Sequence, residues 1–210
     1  MERKGLLVVV SGFAGSGKGT LMKGLINKYD NYALSVSATT RNPRPGEEDG
    51  REYFFKTTEE FERMISDDAF VEYARYVNNY YGTPKEYVFE QLDNGKDVIL
   101  EIEIQGALQV KEKFPETLLL FVTPPDAETL KNRLVGRGTE DAKTIGLRLA
   151  RAASESEGIE KYDYILVNDE LDECIESMHN IIQNEKYRTF RNIPFINIIR
   201  EELKGFAKGE

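Results

Sequence analysis

The sequence predicts an α/β fold, a parallel sheet flanked by helices with a smaller antiparallel region inserted into it. Three observations carry this expectation. Four apolar, β-rich segments at residues 6–10, 97–104, 117–122 and 164–167 alternate with helical patterns, the rhythm of parallel strands joined by crossover helices. The first of these segments runs into a glycine-rich turn and then a helix. Between residues 36 and 81 the rhythm changes to short strand-like pieces, at 52–55 and 70–77, around one helix near 59–65, which reads as an inserted antiparallel flap.

The first turn is Gly12-Phe13-Ala14-Gly15-Ser16-Gly17-Lys18-Gly19-Thr20. Its glycines let successive backbone N–H groups turn toward one anion, and the helix that follows adds the positive end of its dipole. Lys18 supplies a mobile cation, and the hydroxyl of Thr20 is available to phosphate or to magnesium-bound water. A hydroxyl residue usually follows the lysine directly; here Gly19 stands there. These features make the sheet one of P-loop NTPase type, with ligands at the carboxyl ends of its strands. Further helices are expected at about 84–93, 127–135, 142–157 and 171–187. Residues 191–210 have Phe195, Ile196, Ile198, Ile199 and Leu203 as apolar punctuation, expected either as a packed terminal helix or as a frayed end.

A chain of 210 residues suits one domain with a large core. A net charge of −9 argues against a nucleic-acid partner, because the surface as a whole repels phosphate, so phosphate-handling arginines must be concentrated locally. Cys174 is alone, which excludes an intramolecular disulfide. The apolar stretch 6–10 is shorter than the ~7–15 residues of a secretory signal, and no run approaches the ~20 of a membrane helix. The expectation is a cytoplasmic protein without a membrane partner, monomeric or a small homo-oligomer.

Residues 39–56 put Arg41 and Arg44 three apart in a proline-stiffened loop, with Tyr53 beyond it. Arginine's planar fork binds phosphate oxygens bidentately, and prolines reduce the entropy lost on ordering the loop. This segment resembles the signature of the guanylate kinase family at each specified position: Thr39-Thr40-Arg41, then Arg44, Glu47, Gly50, Tyr53 and Phe55. Other family blocks recur in order, namely the glycine turn, Asn79-Tyr80-Tyr81-Gly82, Glu101-Ile102-Glu103-Ile104-Gln105-Gly106, Arg133 with Gly136-Arg137-Gly138, and Val167-Asn168-Asp169. The resemblance spans roughly residues 5–188. It implies a core at about 5–35, 84–135 and 158–190, a GMP-binding region at about 36–83, a lid at about 136–157 and a tail at 191–210.

The same resemblance implies roles. Gly12 through Thr20 hold ATP, with Arg137, Asn168 and Asp169 on the adenine side. Arg41, Arg44, Tyr53 and Tyr81 hold the phosphate of GMP, while Ser37, Glu72 and Thr83 read its base. On guanine's pairing edge O6 accepts and N1–H and N2–H₂ donate, so a carboxylate at Glu72 suits the donors and hydroxyls suit O6 and N7. Thr83 precedes Pro84 with Glu86 three residues on, so it also reads as a helix cap. Glu101 matches an acid placed near magnesium, acting through water. Glu103, two residues on and on the same strand face, stands where relatives carry aspartate beside the acceptor.

Arg133 and Arg137, and Arg148 and Arg151, fall at spacings that share a helical face. Arg133, Arg137 and Arg148 are expected to clamp the migrating phosphoryl group; Arg151 is expected at the surface. The implied reaction is ATP with Mg²⁺ plus GMP giving ADP plus GDP. The attacking phosphate ionises a second time near pH 6 and needs no general base, so His179, on a helix with Ile175, Met178 and Ile182, reads as structural. Three other readings compete: a binding module that has lost catalysis, a kinase for another phosphorylated acceptor, and a GTPase suggested by Asn27-Lys28-Tyr29-Asp30. The retained lysine and arginines oppose the first and the Ser37, Glu72 and Thr83 set the second. The absence of a strand before Asn27 opposes the third.

Overall fold

The computed structural model describes residues 4–76, 78–136 and 141–208. The chain opens with β1 (Leu7–Gly12), α1 (Lys18–Lys28) and β2 (Tyr32–Leu34). It then leaves the main sheet through β3 (Ala38–Thr39), β4 (Phe54–Phe55), α2 (Thr58–Ser66), β5 (Phe70–Tyr76) and β6 (Asn79–Pro84). Helix α3 (Lys85–Asp93) leads back to β7 (Asp97–Glu101), α4 (Ile104–Lys113), β8 (Leu118–Thr123), α5 (Ala127–Gly136), α6 (Ala142–Ser156), β9 (Tyr164–Val167) and α7 (Leu171–Glu185). A 3-10 turn (Thr189–Asn192) precedes the last helix, α8 (Ile193–Lys208).

Five parallel strands form the main sheet in the order β2-β7-β1-β8-β9. Both faces are covered, which is why β1 reads as a continuous apolar run. Val8 and Val10 pack with Leu21, Leu25, Ile175 and Met178 of α1 and α7. Val9, between them, turns to Val88, Leu92, Ala107 and Val110 of α3 and α4. Chain order reverses across β1, with β7 on one side and β8 on the other, so the crevice lies at its carboxyl end.

At the opposite edge a single buried carboxylate ties the sheet together. Asp97, fully buried at the start of β7, accepts hydrogen bonds from Leu6 N–H at 2.9 Å, Asn31 Nδ2 at 3.1 Å and Gln183 Nε2 at 3.1 Å, and pairs with Lys186 Nζ at 2.7 Å. Four separate segments meet at one side chain. His179 lies beside this cluster, stacked on Tyr29 at 3.7 Å and hydrogen-bonded to the Tyr32 hydroxyl at 2.8 Å, the structural role its sequence context suggests.

The inserted sheet has the order β4-β3-β6-β5. It is not wholly antiparallel: β3 and β4 run parallel, while β3–β6 and β5–β6 are antiparallel. The long loop from residue 40 to 53 carries the chain back to its starting edge, so β4 can lie alongside β3 in the same direction. Phe61 stacks between Phe70 (4.4 Å) and Tyr80 (5.2 Å) beneath this sheet. Its helix, α2, starts in a capping box in which Thr57 and Glu60 satisfy each other's backbone N–H groups. Val71 of β5 is buried in the core cluster of α3 and α4, so the two sheets share packing.

Two elements were not expected from the sequence. The strand predicted at 97–104 stops at Glu101, and α4 begins at Ile104; Ile102 and Ile104 continue the strand's alternation, which hides the change of period. Strand β2 has three residues, too few to show a pattern. The terminal segment forms a helix, but none of its side chains joins a buried cluster.

Replacing Asp97 by alanine should leave the Leu6 N–H and the Lys186 ammonium without their acceptor. The expected loss is about 3–5 kcal/mol of folding free energy, read from urea unfolding. An unchanged midpoint would show that the clamp is dispensable.

Candidate active site

The glycine loop leaves the carboxyl end of β1 and ends at Gly17, which caps α1 in the left-handed conformation (φ 90°) without a side-chain hydrogen bond. The first N–H groups of α1 are thus left for an anion. Lys18 Nζ donates to the loop's own carbonyls, Gly12 O at 2.6 Å and Phe13 O at 3.1 Å, so the cation already sits over the turn. Gly19 and Thr20 are exposed on the first turn of the helix, and a Cβ at position 19 would meet nothing within 4 Å.

Asn168 holds this loop from behind. It is 6 % exposed, and its amide donates to Ser16 O at 2.8 Å while its N–H donates to Thr123 O at 2.8 Å. Its own carbonyl accepts from Arg133 Nη1 at 2.9 Å. A Cβ on Gly17 would come within 2.5 Å of the Asn168 amide, so glycine there is demanded by space as well as by φ. The Asn168 side chain is thus engaged with the loop; Asp169, next to it, is exposed.

Helices α5 and α6 pack against the same loop. Phe13, Phe121, Leu130, Leu134 and Ala152 form one buried cluster, and Ile145 and Leu149 pack against it. Arg133 on α5 and Arg148 on α6 are both half-buried. Arg137 lies outside the described residues. Glu101 ends β7 in register with Val10. It is open to solvent, yet the crowding of its carboxylate by protein raises its pKa, which the charge of Lys18 partly offsets.

At the other end of the cleft, Arg41 forms a bidentate pair with Glu47, Nη1–Oε2 and Nη2–Oε1 both at 3.0 Å. Glu47 also accepts from the Arg44 N–H at 2.7 Å, and the Arg41 pair holds its carboxyl below the usual range. The Arg44 side chain is exposed. The Arg41 guanidinium lies 5.3 Å from the centre of the Tyr53 ring, which meets Tyr81 edge-on at 6.1 Å. Burial raises the Tyr53 hydroxyl, with Tyr81 and Glu101 adding to the effect. Glu101 is therefore within electrostatic reach of both Lys18 and Tyr53, which links the loop to the arginine–tyrosine group.

Glu72 of β5 is 5 % exposed and faces Thr83 of β6. Thr83 Oγ1 donates to Glu72 Oε1 at 2.7 Å. Thr83 does not cap α3: the cap position is Pro84, without a side-chain bond, because the buried carboxylate has taken the hydroxyl. Burial raises the Glu72 pKa, opposed by the Thr83 hydrogen bond and by Lys113. A Cβ on Gly106 of α4 would stand 3.0 Å from Glu72 Oε2, so the glycine leaves room for that oxygen. Ser37 lies just before β3, its carbonyl accepting from Phe54 N–H at 2.9 Å.

Glu103 is not on the same strand face as Glu101. The strand has ended, and Glu103 is the cap residue of α4, its side chain 71 % exposed and paired with Arg151 Nη2 at 2.5 Å. Arg151, exposed at the surface as expected, also binds Glu155 at 2.7 Å, so it bridges α6 to the start of α4. The residues that pattern reading left without a role are Thr39, whose hydroxyl binds Tyr80 O and the Arg41 N–H, Glu47 and Gly106. All three lie within the family blocks of the sequence, which is the available signal.

The guanylate kinase family profile matches residues 4–185. A guanylate kinase of Caldanaerobacter subterraneus subsp. tengcongensis is 51 % identical over 202 residues, 96 % of this chain and 98 % of that protein. One from Lactococcus lactis is 52 % identical over 193 residues, 92 % of this chain and 94 % of that one. The crystal structure of guanylate kinase from Anaplasma phagocytophilum superposes with a TM-score of 0.72 at 32 % identity, covering 90 % of each chain.

Asn168→Ala should lower stability by about 1–3 kcal/mol, since the buried Ser16 carbonyl loses its donor. Asn168→Asp should do no better, a carboxylate being unable to donate. Chemical unfolding of both variants measures this; wild-type midpoints would remove Asn168 as the support of the loop.

Proposed function

The chain belongs to the guanylate kinase family and transfers a phosphoryl group from ATP to GMP, giving ADP and GDP, and we propose that the glycine loop and the inserted sheet divide the two substrates between them. The carrying observation is the Glu72–Thr83 pair, a buried carboxylate and hydroxyl in contact at 2.7 Å. Such a pair matches guanine, whose N1–H and N2–H₂ donate to a carboxylate while O6 and N7 accept from hydroxyls. Adenine presents the opposite polarity and would leave buried groups unpaired, which supports steep rejection of AMP. Ser37 completes the base-reading set.

Arg41, Arg44, Tyr53 and Tyr81 take the GMP phosphate. Glu47 already holds the Arg41 fork, so less side-chain freedom is lost when phosphate arrives. Glu103, tied to Arg151, stands at the rim of this subsite. Gly12, Phe13, Ala14, Gly15, Ser16, Gly17, Lys18, Gly19 and Thr20 wrap the triphosphate of ATP, Asn168 supports that loop, and Asp169 lies toward the adenine. Arg133, Arg137 and Arg148 neutralise charge on the group in transit. Residues 36–83 and 136–157 close as flap and lid to keep water from acting as acceptor.

Among the described residues no group of three or more His, Cys, Asp or Glu is placed to hold a metal, so the donor set suits Mg²⁺ carried in on ATP. Thr20 and Glu101, the latter through water, are the residues that would hold it, and its charge would offset that of the β- and γ-phosphates. The acceptor is mostly dianionic at neutral pH, its second ionisation lying near pH 6. The chain's task is then alignment and charge neutralisation rather than proton removal. No described helix is long and apolar enough to cross a membrane. A reducing, cytoplasmic setting suits the lone Cys174, whose thiol burial pushes up to about 11.

A coupled ADP-release assay should show turnover with GMP and dGMP and little with AMP, UMP or CMP; equal use of AMP would overturn the base assignment. Lys18→Ala should abolish turnover with the fold intact, and near-normal transfer would remove the loop as donor site.

Glu72→Gln should raise the KM for GMP by about tenfold or more, ~1.4 kcal/mol, with the KM for ATP unchanged. The pH dependence follows from the raised Glu72 pKa. The protonated carboxyl faces guanine's donors with one acceptor fewer, so GMP binding should weaken as pH falls toward a point above the ordinary value of 4.5, and Glu72→Gln should flatten that profile. The apo protein behaves in the opposite sense: a carboxyl raised by folding adds stability below its unfolded pKa, lost as pH rises through the folded one.

A further inference from the structure

Helix α8 shows an apolar stripe to solvent. Ile196, Ile199, Leu203 and Phe206 recur at spacings of three, four and three, the a/d pattern of a helix that pairs with another helix. Phe195 adjoins the stripe. Exposure is 51 % at Phe195, 39 % at Ile199, 61 % at Leu203 and 77 % at Phe206. Within the described residues the helix packs chiefly on the 3-10 turn that precedes it.

The root of the helix is fixed. Arg191 Nη2 donates to Glu116 O at 2.6 Å, and Asn192 Nδ2 donates to Lys186 O and Arg188 O, both at 2.9 Å. The stripe is therefore presented from a tethered base. Tyr187, Phe190 and Ile193, at 73 %, 42 % and 43 % exposure, extend the apolar surface at that base.

We propose that α8 is a self-association surface and that its occupant is α8 of a second copy of this chain. Three observations favour that partner. The a/d spacing fits a helix rather than a flat surface. Together with Tyr187, Phe190 and Ile193 at its base, the exposed apolar side chains offer at most roughly 700 Å² per copy, so a pair would bury up to about 1,400 Å², within the ~1,200–2,000 Å² of stable interfaces. Charge is the third. The chain carries −9 overall, which opposes self-contact over most of its surface. On α8, however, Arg200, Lys204 and Lys208 slightly outnumber Glu201 and Glu202, with Lys204 paired to Glu201 at 2.6 Å, so this helix lacks the acidic excess of the rest of the chain. That small excess falls short of the Lys/Arg-rich polar face with which helices bind an anionic lipid surface.

Sedimentation velocity of the full chain over micromolar concentrations tests this. The expected mass is near twice the chain's 24.0 kDa, and the double variant Ile199→Glu with Leu203→Glu should dissociate at least about tenfold more readily, with wild-type circular dichroism and turnover. A monomer at every concentration would overturn the proposal, as would a dimer that ignores the double variant. The chain contains no tryptophan, so Phe206→Trp gives a single reporter, expected to shift to the blue as protein concentration rises. Emission that stays red at all concentrations would overturn the proposal too. A shift seen with phosphatidylglycerol vesicles but not with protein concentration would overturn it in favour of a membrane surface.

Discussion

The cleft hangs from the hydrogen bond that the Asn168 amide donates to the carbonyl of Ser16. A loop that turns backbone N–H groups outward has carbonyls that point into the protein, and each of those needs a donor. Asn168 supplies one from the strand end next door. Through its own backbone it also joins β8 and receives Arg133. The loop, the sheet edge and the arginine of α5 are thus set relative to one another by a single residue, and the crowding of Gly17 against that amide leaves the loop little room to shift.

The two ends of the parallel sheet are organised by contrasting polar devices. At the starting edge, Asp97 is enclosed and every neighbour is a donor, which makes a fixed clamp. Toward the cleft the carboxylates are left with capacity: Glu72, on the inserted sheet, accepts from the Thr83 hydroxyl on one oxygen and has a glycine beside the other. Glu101 is crowded by protein, with Lys18 nearby. Carboxylates with raised pKa values at a cleft are costly to keep unless a ligand uses them. The contrast marks which edge is architecture and which is chemistry.

Much of this was legible in the sequence. The glycine loop, Lys18 and the strand before it are local, and β9 at Tyr164–Val167 falls where its apolar run predicts. Arg41, Tyr53 and Tyr81 do gather, although they come from two separated segments. What escaped was non-local or disguised. Asn168 and Ser16 are 152 residues apart, and no periodicity connects them. The start of α4 is concealed by the alternation of Ile102 and Ile104. Thr83 carries the signature of a helix cap, yet a buried carboxylate across the strand pair is a stronger partner for its hydroxyl than an N–H at a solvated helix end. The parallel pairing of β3 and β4 depends on the path of a long loop, which composition does not encode.

The missing cap at Gly17 has a further meaning. A helix that begins without a side chain to receive its leading amides is, by itself, an unfinished piece of secondary structure. On the proposed assignment, a polyphosphate seated there would be the helix's final component, supplied from outside the polypeptide. Ligand occupancy at that end would then add to the stability of an already formed α1, coupling the first turn of the helix to the proposed donor subsite.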